Sequence, residues 1–283
     1  TFHGYSRYLQ GRRIVRLHSG KIKLISWYEN QVIDKNLYRG LREDSEQVTI
    51  YGAQLLLYTA SILNIFPDIN EKKLGLIPDY IVTNGPYFMP RKTRLEYRVG
   101  PSLRYEKIFT EARNQNRGDK ILVLLPYSVK ETEYLLSLIS HLDDSIKKNI
   151  LIKAHPLNPL RHYKRLVPPR CRVVSDDIYD LFKDAWIVIG STGGTLVEAT
   201  TLGIQTIVVR DKAEPDSNFL PEYGRGIIWD EANTADELKR LIDKFTTTDK
   251  RHLSEIEDIA VRYRDLFFCR PDSETVSEAF DLS

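Results

Sequence analysis

Between residues 120 and 245 short apolar runs alternate with segments in which apolar positions recur at helical spacing. KILVLLPYS (120–128), NILIKAHP (149–156), CRVVS (171–175), WIVIGS (186–191) and QTIVVR (205–210) are β-branched and apolar and read as strands. ETEYLLSLISHL (131–142), DIYDLFKDA (177–185), GTLVEATTLG (194–203) and TADELKRLIDKF (234–245) read as helices, the third ended by Gly203 and the last opened by Thr234 as N-cap. Continuous apolar strands alternating with helices predict a doubly wound parallel sheet covered on both faces. Ligands of such sheets sit at the carboxyl ends of the strands, where His155 and Ser191 fall.

The first half is less regular. KLISWYEN (23–30) predicts a strand running into a loop at Glu29. VTIYGAQLLLYTASIL (48–63) predicts a strand and then a helix, and PDYIVTNGP (78–86) a strand ended by an Asn-Gly-Pro turn. Together they predict a second α/β domain, incomplete at its N-terminus. The expected division is 1–115 for this domain, 119–250 for the regular one, and 251–283 for a C-terminal segment whose long helix (254–268) packs back on the first. The linker is expected in the polar stretch TEARNQNRGDK (110–120).

Composition narrows the function. The chain has 283 residues, 42% hydrophobic and 28% charged, as in ordinary globular proteins. A net charge of +2 argues against a nucleic-acid binder. No apolar stretch reaches the roughly 18 residues of a membrane span. Residue 1 is not Met and no signal-like region follows, so the chain reads as a segment of a longer one. Two cysteines, Cys171 and Cys269, make no disulfide or metal framework, and a reducing cytoplasm is the expected compartment.

IVIGSTGGTLVEA (187–199) carries the strongest chemical signal. A strand ends, Ser191 and Thr192 follow, then Gly193 and Gly194, and a helix starts. The glycines admit a ligand close to the backbone, and the helix N-terminus offers N–H groups and a positive dipole end to phosphate. Glu198, one turn into the helix, is placed to accept ribose hydroxyls. The run is neither the six-residue dinucleotide fingerprint nor a P-loop, and no Asp-x-Asp pair suggests a carboxylate-held metal. Lys153, His155 and Pro156 stand at the next strand end, and Ser128 at the first. Alone, His155 reads as a structural histidine; together with the Ser-Thr-Gly-Gly run it reads as a phosphate-facing imidazole.

Residues 120–245 resemble the donor-binding half of glycosyltransferases of the GT-B architecture, in which two Rossmann-like domains face each other across a cleft. His155-Pro156 followed by Ser191-Thr192 is similar to the HP and Ser-Ser/Thr motifs of bacterial sialyltransferases and of Kdo transferases that build capsule and lipopolysaccharide. The resemblance implies a transferase using a CMP-activated sugar contacted at its phosphate by His155 and the hydroxyl pair, and an oligosaccharide or glycolipid acceptor. The missing Asp-x-Asp pair and the dipole-based phosphate site add the expectation that it needs no metal, and no cofactor is expected. The acidic motif of that group is absent as such; Glu29 is the nearest equivalent and the expected catalytic carboxylate, with Asp79 the runner-up. Glu222, in PEYGRG (221–226), falls where such folds close over the nucleotide. Two stretches with five Lys/Arg and no acid, 11–23 and 161–172, are either solvated surface or contacts for an anionic polymer or the inner face of the cytoplasmic membrane. A UDP-sugar-dependent transferase or nucleotide-sugar 2-epimerase, and a non-catalytic glycan-binding subunit, are the alternatives.

Overall fold

The computed structural model describes residues 1–59, 62, 66–111, 118–159, 161, 163–213, 218–247 and 250–282. They form two compact units, Thr1–Glu106 with Asp265–Ser283, and Lys107–Arg264. The divisions thus fall at 106/107 and 264/265 rather than at the expected 115/119 and 250/251.

The first unit contains α1 (Phe2–Leu17), β1 (Ile22–Trp27), α2 (Val32–Glu43), β2 (Val48–Ala53), α3 (Ile69–Lys73), β3 (Tyr80–Thr83) and β4 (Glu96–Val99). Its four strands are parallel in the order β1-β2-β3-β4. Side chains alternate across the sheet with period two. Ile50 and Ile81 pack with Tyr28, Tyr38 and Leu41 on one face, while Tyr51 and Val82 pack with Ala279 and Phe280 on the other. Helices α1 and α2 approach closely through glycines. A Cβ on Gly40 would stand 2.1 Å from the Tyr8 carbonyl oxygen, and one on Gly11 2.5 Å from that of Leu37. The helix expected after β2 does not form over residues 54–59. There the Gln54 N–H continues the ladder to the Val82 carbonyl, and its side-chain amide donates to the Leu56 carbonyl, holding the chain open. Residues 60, 61 and 63–65 of that expected helix, and 112–117 of the expected linker, lie outside the described residues.

The second unit runs through α4 (Lys107–Thr110), β5 (Lys120–Leu124), α5 (Val129–Ser140), α6 (Asp144–Lys147), β6 (Ile150–Lys153), β7 (Arg172–Val174), α7 (Ile178–Asp184), β8 (Ala185–Gly190), α8 (Gly194–Thr201), β9 (Gln205–Val209), β10 (Trp229–Ala232) and α9 (Ala235–Thr246). Helix α10 (Lys250–Phe267) starts here and ends in the first unit, which α11 (Ser273–Phe280) completes. The six-stranded parallel sheet has the order β10-β9-β8-β5-β6-β7. This is the 3-2-1-4-5-6 order of doubly wound nucleotide-binding folds, and the order reverses between β5 and β8. Central strands are buried on both faces, which is why their sequences are continuously apolar. The expected strands and helices of 120–245 are all present; their ends agree within two residues except for β5 and β6, which stop four and three residues before the expected ends, at Leu124 and Lys153.

Candidate functional site

In the second unit the carboxyl ends of β5 and β8 diverge at the strand-order reversal, the place where such sheets bind ligands. The segment after β8 is Ser191-Thr192-Gly193, and α8 begins at Gly194. Gly193 has φ +124°, which a residue with a side chain rarely adopts, and a Cβ there would meet nothing within 4 Å. The space over this turn is open. No side chain caps α8, so its first N–H groups are left for solvent or an anion, with the dipole favouring negative charge.

Ser191 donates its hydroxyl proton to Glu131 Oε2 at 2.6 Å. Glu131 lies in the first turn of α5, and its own N–H donates to Ser128 Oγ, the N-cap of that helix. Ser128 thus caps α5 as an acceptor; N-caps of this kind contribute about 1 kcal/mol. Glu131 links the loops after β5 and β8 across the reversal point.

His155 sits two residues beyond β6, half-buried. Its Nδ1 accepts the Leu157 N–H at 3.1 Å, so in the neutral ring Nε2 carries the proton. Burial holds its pKa below the ordinary 6.5. The imidazole is thus neutral at pH 7, with Nε2–H as a donor. Pro156 and Leu157 make the turn after it. Asn158 then clamps the loop: its amide donates to the Pro126 carbonyl at 3.2 Å, and its Oδ1 accepts from the Tyr163 hydroxyl at 2.6 Å. Lys153, expected to face phosphate, instead donates to the carbonyls of Asp176 and Ser175 at 2.6 and 3.4 Å. Its ammonium neutralises exposed carbonyl dipoles after β7 and ties that loop to the end of β6.

Glu198 Oε2 accepts from the Tyr179 hydroxyl at 2.6 Å, a buried phenol on α7. That bond orients the carboxylate on α8. Glu222 is paired with Arg225 at 3.1 Å and its side chain is 79% exposed, as a surface ion pair.

Glu29 of the first unit follows β1 and lines a cavity of 190 Å³ at the carboxyl ends of its parallel strands. Its carboxylate accepts from Trp27 Nε1 at 3.1 Å and Gln31 Nε2 at 2.7 Å. Burial first, and then the Asp34 carboxylate, raise its pKa above 4.5 against those hydrogen bonds. A carboxylate of raised pKa is a better base. Asp79 does not share this place. It precedes β3, pairs with Arg42 at 2.8 Å and accepts the Ile50 N–H, a structural role at the opposite strand end.

The structure thus gathers Ser191, Thr192, Gly193, Gly194 and Glu198 on one turn and helix, with His155 and Pro156 two strands along the same sheet edge. Glu131, Asn158, Tyr179 and the cavity around Glu29 escaped sequence reasoning. Among the described residues no group of three or more His, Cys, Asp or Glu is arranged to hold a metal ion, and no helix is long and apolar enough to cross a membrane.

No protein-family model matches the chain, and no curated protein matches it in sequence. Solved structures match it in fold. Acinetobacter baumannii MurG is 14% identical with a TM-score of 0.57, over 97% of this chain and 77% of that one. A Rickettsia africae glycosyltransferase is 11% identical with a TM-score of 0.59, over 99% and 82%. A UDP-N-acetylglucosamine 2-epimerase is 14% identical with a TM-score of 0.56, over 98% and 74%. Such identities speak to fold alone, and the fold that the chain shares with these proteins is the two-domain, Rossmann-like GT-B fold.

Proposed function

We propose that the chain is a glycosyltransferase using a UDP-activated sugar. The second unit holds the nucleotide diphosphate at the start of α8, and the first presents an acceptor hydroxyl to Glu29. The observation that carries this reading is the uncapped, glycine-started helix α8 at the strand-order reversal, with Ser191 and the His155 loop two strands apart at the same sheet edge. Phosphate charge meets the helix dipole, the N–H groups of α8 and the His155 Nε2–H. Glu29 takes the acceptor proton as the new glycosidic bond forms and the bond from sugar to phosphate breaks.

The CMP-activated donor and the sialyltransferase and Kdo-transferase grouping rest on two short motifs, and either motif would serve the phosphate of any nucleotide. UDP is favoured because a structural neighbour is named for a UDP-sugar. A 2-epimerase shares this fold and is the second reading. The cavity at Glu29 favours transfer, since an epimerase requires no acceptor site.

A thermal-shift panel of UDP, CDP, CMP and GDP tests the donor. The largest stabilisation is expected with UDP, because a ligand that binds only the folded state raises the melting temperature with its affinity. A larger shift with CMP would restore the first expectation. Incubation with UDP-N-acetylglucosamine, without and then with acceptor, separates epimerase from transferase.

Replacing Ser191 and Thr192 together by alanine is expected to weaken nucleotide binding about 10- to 100-fold, the worth of a hydrogen bond to a charged group. Calorimetric titration showing unchanged affinity would remove the hydroxyl pair from the site. Activity is expected to persist in EDTA, since the sequence has no Asp-x-Asp pair and α8 supplies the charge for phosphate. Loss of activity in EDTA restored by manganese or magnesium would contradict this.

A further inference from the structure

The cavity beside Glu29 has a wall that indicates what it accepts. Its lining comes from the segments after β1 and β2, from β3 and β4, and from residues 87–90. Aromatic and aliphatic side chains dominate: Tyr58, Phe66, Ile81, Phe88, Met89 and Tyr97. Phe66 is exposed and marks where the cavity meets solvent.

Several polar groups of the wall are already engaged within the protein. Gln54 donates to the Leu56 carbonyl and accepts the Asn84 N–H. The Thr83 hydroxyl donates to the carbonyls of Gly85 and Arg98. The Tyr58 hydroxyl donates to the Tyr28 carbonyl. A bare sugar ring has several hydroxyls, and each one buried without a partner costs about 1–3 kcal/mol. An apolar group of the same size incurs no such cost and gains from burial. A volume of 190 Å³ suits one ring or a short branched chain; a dry apolar cavity of about 150 Å³ already holds benzene. The Tyr28 phenol oxygen is buried without a partner among the described residues, and the Tyr87 and Tyr97 hydroxyls of the lining make no hydrogen bond among them, so the polar points left to a ligand are isolated phenols in a mainly apolar wall.

We infer that this cavity binds an apolar ring or chain carried by the acceptor close to its reacting hydroxyl, so that the acceptor is amphiphilic, with its apolar group in the cavity and its hydroxyl at Glu29. The assignment rests on the transferase reading for the role of the occupant, though not for its chemistry. Aryl and alkyl carriers share that chemistry and are distinguished by experiment.

Saturation-transfer NMR with benzyl alcohol, n-hexanol and methyl β-D-glucoside, without any donor, makes the test. At least one alcohol is expected to bind, the preferred one showing whether the carrier is ring or chain, and methyl glucoside is expected neither to bind nor to compete. Met89→Trp and, from another wall, Ile81→Phe fill the space and are expected to weaken the alcohols about tenfold or more, with circular dichroism confirming the fold. Binding that survives both substitutions in folded protein, no binding of either alcohol, or competition by methyl glucoside would overturn the assignment. Because no donor is present, failure here leaves the nucleotide panel standing. Conversely, a protein that binds no nucleotide yet binds the alcohols loses the transferase reading but keeps the apolar site.

Discussion

His155→Ala is expected to lower turnover about 100- to 1,000-fold with a much smaller change in donor affinity. The magnitude is that of removing one preorganised donor from charge that develops in a transition state. Two contacts hold the ring ready to donate. Leu157 N–H fixes Nδ1 as acceptor, and the Asn158 clamp fixes the loop. The depressed pKa of the ligand-free ring favours the second of two roles for the imidazole, acid or neutral donor. A general acid would lose activity as pH rises through a value below 6.5, whereas a neutral Nε2–H donor keeps acting. The kcat profile is therefore expected to stay level from pH 6.5 to 8, and a steep decline there would restore the acid. The same shift has a sign for stability. Below 6.5 the unfolded chain takes up the proton more readily, so the stability that this group contributes above 6.5 is lost as pH falls through its folded pKa. Turnover at the wild-type level in folded His155→Ala would make the residue structural.

Glu29→Gln is expected to reduce transfer about 100- to 10,000-fold, the range of general-base catalysis, and to leave nucleotide binding nearly unchanged. The amide keeps the shape and the acceptor oxygen but takes no proton. Burial and the neighbouring Asp34 raise the Glu29 pKa, so the acidic limb of the transfer rate is expected above pH 4.5, and activity falls as pH drops through it. A mutant that retains most of its transfer activity would show that Glu29 is not the base. A mutant that loses nucleotide binding equally would show damage beyond the loss of a proton acceptor.

The second unit was the more readable from sequence because its strands are buried on both faces, so that Ile121 to Leu124 or Ile187 to Ile189 need no alternation. Ser191 to Gly194 was readable for a related reason, since strand, hydroxyls, glycines and helix are consecutive. Interactions that close over long separations were not readable. Ser191 and Glu131 are 60 residues apart, and Tyr179 meets Glu198 from a different helix. The cavity at Glu29 is assembled from five stretches, none patterned by itself. Helix α1 was read only as a basic run because Gly4 and Gly11 dilute its helical signal. Gly11 proves to be where α2 comes close. Lys153 reads from sequence as a phosphate ligand because it ends a strand, whereas its bonds to the Ser175 and Asp176 carbonyls close over 22 and 23 residues and leave no local pattern.

The first unit is discontinuous, since Asp265–Ser283 rejoins Thr1–Glu106 only after the whole second unit has passed. One face of its sheet depends on that return: Tyr51 and Val82 pack against Ala279 and Phe280, and Asp281 pairs with Arg98 at 3.0 Å. A ribosome delivers the chain from the N-terminus, at about 5–20 residues per second. The second unit is therefore fully synthesised while one face of the first still lacks its cover. During that interval of several seconds or more Tyr51 and Val82 stand open on a parallel sheet, and a chaperone or a premature stop near residue 264 would meet the protein in that state.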